Sequence, residues 1–128
     1  MSIRHNCETN GCFIKVATVD WGFLDNSFSG RIRVGDIDGI VEANGRLLIL
    51  EWKGLNVPIP KGQEIMFTNI TKVSNIIVFV VNGDPITNKP QWIKIFHNGK
   101  VVTDCECDEQ KLQSWCKDWE QKARNCLV

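Results

Sequence analysis

The chain has 128 residues, 15 Lys plus Arg against 15 Asp plus Glu, 43% hydrophobic residues and six cysteines. That length suits one domain with a core of ordinary size, and the balanced charge excludes a basic surface spread over the whole molecule, so any attraction for phosphate must be local. The longest apolar run, Ile76 to Val81, is too short to cross a bilayer, and the opening Met1-Ser2-Ile3-Arg4-His5-Asn6 lacks an export stretch, which places the expected protein in the cytoplasm with no membrane partner.

In chain order, Phe13 to Trp21 alternates as a strand, Gly22 to Gly30 is rich in turn residues, and Arg31 to Val34 opens the next strand. Gly35 to Ala43 and Arg46 to Lys53 flank Asn44-Gly45, the strongest short hairpin signal. Gly54 to Gly62 holds two prolines and reads as a loop. From Gln63 to about Lys72 the period turns helical, with Gln63, Met66, Phe67, Ile70 and Val73 on one stripe. Asn75 to Val81 is apolar and β-branched, as a strand covered on both faces should be, so strand, helix and strand form a right-handed parallel crossover in a mixed sheet. A second hairpin, Gln91 to His97 and Lys100 to Asp104, turns at Asn98-Gly99. Glu109 to Asn125 is an amphipathic helix with Leu112, Trp115, Trp119 and Ala123 on its core side. The reading is one α/β (α+β) domain over residues 1–128, a mixed sheet flanked by helices.

The first hairpin carries the chemistry. In a type I′ turn Ala43 faces Arg46, which sets Asp38 against Glu51 and Asp36 against Lys53, all four on one face. Directly opposed side chains have Cβ atoms about 4.5–5.5 Å apart, and like charges there repel. Apolar residues share both faces of the hairpin, so both sides are expected to be covered. A buried acid pair needs a cation to stay ionised, and an Asp/Glu pair beside a lysine fits metal-assisted phosphoryl transfer. The alternative is a cross-strand Asp36–Lys53 ion pair with Asp38 and Glu51 solvated.

Asp38, followed by Glu51-Trp52-Lys53 across a hairpin and then by a helix led by Gln63, resembles the PD-(D/E)xK nuclease superfamily, the restriction-endonuclease-like fold, and within it small phage-type and VRR-NUC-like nucleases. The likeness covers about residues 30–82. It implies a metal-dependent DNA endonuclease in which Asp38, Glu51 and the Trp52 carbonyl bind Mg2+ or Mn2+, and Lys53 activates the attacking water. It also implies that Gln63 supports the site; the alternative is a helix-start glutamine bonded to loop backbone. Asp36 would support the metal residues from outside or pair with Lys53. The family's acidic first helix has no counterpart in residues 1–30, where Glu8 is a weak candidate, so a second metal is not implied.

Arg31 and Arg33, alternating on one strand, and Lys61 in the proline loop are candidate phosphate contacts, with solvated surface charge as the alternative. Cys7, Cys12, Cys105 and Cys107 are candidate zinc ligands; the Cys-x-Cys spacing is tight for structural zinc, and small semi-buried thiols are the alternative. Two readings of another class stand beside the nuclease. One is a catalytically silent nuclease fold serving as a phage regulator or an inhibitor of host defence, and the other is a zinc-stabilised interaction module. A homodimer would pair through the second hairpin or the Trp-bearing helix.

Overall fold

The computed structural model describes residues 19–125. The chain divides after Asp36 into two units, Met1–Asp36 and Ile37–Val128. In the first, Asp20 accepts a hydrogen bond from the Gly22 amide (2.8 Å) and starts a 3-10 helix, Trp21–Ser27, none of whose residues is buried. Trp21 therefore opens a helical turn rather than closing a strand; residues 13–18 of the expected strand lie outside the described residues. Arg31 to Val34 is not a strand either. Its alternation has no ladder partner among the described residues, and the backbone turns at Gly30 (φ 63°) instead.

The second unit is one five-stranded mixed sheet in the order β1-β2-β3-β4-β5. Strands β1 (Gly39–Ala43) and β2 (Arg46–Lys53) form the expected hairpin, with Ala43 opposite Arg46 and Asn44 and Gly45 at φ 54° and 77°. These are the positive angles a type I′ turn demands. Helix α1 (Lys61–Ile70) then returns the chain to β3 (Ile76–Asp84), parallel to β2. Strand β3 runs on past Val81 and turns through Pro85 to Asn88 into β4 (Lys89–His97), an antiparallel hairpin absent from the sequence reading. Strand β5 (Lys100–Glu106) follows through a second Asn-Gly turn, and α2 (Glu109–Arg124) closes the fold.

The helices cover opposite faces. On one, Phe67 of α1 packs with Ile49, Val78, Val80 and Phe96; on the other, Trp119 and Ala123 of α2 pack with Leu48, Phe79, Val81 and Ile93. Asp108 caps α2 by accepting from the Lys111 amide (2.7 Å), Glu109 lies in its first turn and Lys122 and Arg124 in its last, all favourable to the helix dipole. The tryptophans at 115 and 119 thus face their own sheet. Helix α1 starts two residues before Gln63, because Pro60 at the cap already holds φ −58°. It ends at Ile70, which leaves Val73 outside it and exposed, while Met66 points outward; the buried stripe narrows to Phe67 and Ile70.

Strand β2 is covered on both faces, but β1 is not. Ile40 and Val41, on opposite faces of β1, are 56% and 42% exposed, so the expected covering of the whole hairpin holds for its inner strand alone. As the end of the strand order, β1 lacks an outer neighbour among the described residues.

Candidate functional site

Hydrogen bonds, rather than ladder pairing, bring Asp38 and Glu51 together. The β1–β2 ladder begins at Gly39 opposite Leu50, one step short of the acids. There each side chain takes over what the missing rung would have done. The Asp38 carboxylate accepts from the Trp52 amide (2.8 Å), and the Glu51 carboxylate accepts from the Asp38 amide (3.3 Å). The acids are laced into each other's backbone, which places donors where bare repulsion would otherwise act.

Their surroundings differ sharply. Glu51 lies on the α1 side of β2 and is 5% exposed, the only buried acid among the described residues, while Asp38 is exposed. Lys53, two residues on, shares the face of Glu51 and is half-buried. The Trp52 amide points toward Asp38, and in an extended strand a residue's carbonyl points to the same side as its amide, so the Trp52 carbonyl is also directed to the β1 side. Its indole packs on the opposite face, against the α2 core, where a Cβ on Gly83 would come within 2.7 Å of the ring.

Gln63 lies in the first turn of α1, which the seven-residue connection from Lys53 sets at the same end of the sheet. Its Oε1 is buried and has no hydrogen-bond partner. The alternative of bonding to loop backbone through that oxygen is therefore not realised. Lys61 is exposed and belongs to the first turn of the same helix rather than to the loop.

Asn82 is a positioning residue the sequence reading missed. Its amide donates to the Gly54 carbonyl (2.9 Å) and the Val57 carbonyl (2.8 Å), pinning the loop that leaves Lys53, its partner in the β2–β3 register. A polar residue directly after an apolar strand was the available signal.

Asp36, Arg31 and Arg33 belong to the first unit and are exposed. The Arg33 guanidinium donates to the carbonyls of Ile32 (2.7 Å) and Gly30 (3.3 Å) and lies 3.7 Å from Asp25. Cys7 and Cys12 lie outside the described residues. Cys105 accepts from the Lys111 ammonium (3.7 Å), and Cys107 is 4% exposed in the α2 core. Burial pushes the Cys107 thiol above its ordinary value, with Lys111 pulling the other way, and burial alone raises Cys116. Among the described residues no three His, Cys, Asp or Glu side chains gather as a metal-holding group, and no helix is long and apolar enough to cross a membrane.

A groove of about 720 Å³ opens at the same end of the sheet, lined by the loop at Leu55 to Pro58, by Asn82 and Trp92, and by Lys111. Comparison of the chain with protein-family models, curated proteins and solved structures finds no match.

Proposed function

We propose that the chain is a metal-dependent DNA endonuclease of the PD-(D/E)xK kind, acting in a bacterial or phage-infected cytosol. The observation that carries this reading is the buried Glu51 carboxylate, laced to Asp38 at the end of β2 with Lys53 beside it on the same face. Two carboxylates this close concentrate negative potential at one point, which a bound cation lowers. Two carboxylates and the carbonyl of the residue between Glu51 and Lys53 are oxygen donors of the kind taken by Mg2+ or Mn2+, which keep several waters and need few protein ligands, and the buried Gln63 oxygen has an acceptor site to spare.

In this reading Asp38, Glu51 and the Trp52 carbonyl hold the ion, and Gln63 accepts a hydrogen bond from water at the site. When bound, the ion polarises the phosphate and acidifies water. Lys53 orients the attacking water and stabilises charge building on the phosphate oxygens as the bond to the leaving oxygen breaks. Asn82 fixes the backbone that follows Lys53, and Lys61 contacts phosphate from the first turn of α1. A homodimer would let two sites cut both strands.

Incubation of the full chain with supercoiled, linear, single-stranded and branched DNA in Mg2+ or Mn2+ tests the assignment. Cleavage is expected from the wild type and lost by at least a hundredfold in Lys53→Ala with an unchanged melting temperature. Equal cutting by Lys53→Ala refutes the role of that residue, and no cutting of any substrate by the wild type favours a silent binding protein on the same scaffold.

A further inference from the structure

Beyond the acids, the α1 face of the sheet continues as a row of polar and aromatic side chains. Successive register pairs set Lys53 opposite Asn82, Asn82 opposite Trp92 and Trp92 opposite Glu106. One step inward, Lys94 stands opposite Val80 and Asp104. Directly paired residues project to the same face, so this row leads from the candidate site across two further strands. At the usual strand spacing Trp92 lies about 10 Å from Lys53.

Trp92 is an unusual residue for that place. It is 41% exposed, yet its indole nitrogen donates to the Asp104 carboxylate at 2.6 Å, which holds the ring in one orientation. The loop at Leu55 to Pro58, tied down by Asn82, walls the groove beside it, and Leu55 and Val57 are themselves 44% and 46% exposed. A fixed aromatic face next to an apolar wall takes a flat, hydrophobic ring. The groove carries Glu106 and Asp108 against Lys111, so it does not attract a run of phosphates by charge.

We infer that this groove receives an unpaired nucleobase of a DNA strand whose neighbouring phosphate lies at Asp38 and Glu51, with Trp92 as the stacking platform. The inference rests on the nuclease reading and gives it a substrate class: single-stranded DNA, or the unpaired arm of a branched or flapped duplex. A base inside a continuous duplex is stacked on its neighbours and cannot present its face to Trp92.

Fluorescence anisotropy of end-labelled oligo-dT and of a duplex of equal length, both with Ca2+ in place of Mg2+ so that the acids keep a cation while cutting is suppressed, tests it on the full chain. The wild type is expected to bind oligo-dT at least tenfold more tightly than duplex. Trp92→Ala is expected to lose about tenfold for oligo-dT and nothing for duplex, with Trp92→Phe recovering most of the loss. An oligonucleotide of abasic sugars, which keeps its phosphates, is expected to bind the wild type as weakly as Trp92→Ala binds oligo-dT, and this arm does not depend on how a variant folds. Equal affinity of wild type and Trp92→Ala for oligo-dT, or a wild-type preference for duplex or for the abasic strand, overturns the proposal. If the wild type cuts nothing in Mg2+ while binding still depends on Trp92, the nuclease reading fails and the base platform stands; if duplex is cut and Trp92→Ala changes nothing, the reverse holds.

Discussion

Glu51 decides the chemistry at the residue scale, because a carboxylate at 5% exposure has given up most of its water. Glu51→Gln keeps an oxygen to accept from the Asp38 amide and removes the charge that a cation needs. Magnesium at a hundred times its Kd adds about 2.7 kcal/mol to a protein that binds it only when folded. For a chain of this size that is a rise in melting temperature of about 10 °C. The wild type is expected to show it in a thermal melt with added Mg2+, and Glu51→Gln to show none; equal shifts in both would remove the acids from the metal site. The pairing of Asp38 with Glu51 was legible because an Asn-Gly turn fixes register. Their mode of contact was not, since nothing in the sequence says that the ladder stops at Gly39 and that side chains replace its last rung.

Periodicity reported well, at the level of elements, wherever a segment had a partner to pack on, and failed where it had none. The apolar run at β3, the stripe on α2 and both Asn-Gly turns appear as read, while the first strand begins at Gly39, where the ladder starts, rather than at Gly35. Arg31 to Val34 alternates like a strand but finds no ladder among the described residues, and β4 begins earlier than expected because Pro90 masks it. Pro90 sits opposite Gly83 just past a bulge at Asn82 and Gly83, where the strands close tightly. A Cβ on Gly83 would meet the Lys89 carbonyl at 2.5 Å and the Pro90 Cα at 2.8 Å, both backbone atoms that cannot swing aside. Gly83→Ala is therefore expected to lower stability by about 1–3 kcal/mol, read as a lower urea midpoint with an unchanged slope. A midpoint equal to wild type would mean that the β3–β4 crossing is looser than described.

Considered as a whole molecule, the second unit responds to pH through its thiols. Cys107 and Cys116 are raised above 9.0 chiefly by burial, so the fold favours their neutral forms. A raised folded value means that this contribution is complete below the unfolded pKa and is lost as pH climbs through the folded one. The denaturant midpoint is expected to be level from neutral pH to about 8.5 and to fall beyond the ordinary thiol range. A Cys107→Ala, Cys116→Ala double variant is expected to flatten that fall, and a decline as steep as wild type would assign it to other groups. The mixed sheet with flanking helices was readable from the sequence as a class. Its division after Asp36 was not, because no linker of Pro, Gly or Ser marks the boundary.

The strand order has a consequence for biosynthesis. Every strand in the sheet lies beside the one made just before it, so a nascent chain leaving the ribosome can add each strand to an edge already present, without waiting for a distant segment. Asp38, Glu51, Lys53 and Gln63 all precede β3 in the chain, and the addition of β3 is enough to set Asn82 opposite Lys53. The last tie runs the full span: the Asn44 amide at the first hairpin's tip donates to the Ala123 carbonyl at 3.1 Å, 79 residues later, so the C-terminal helix latches onto the earliest piece of the sheet to form.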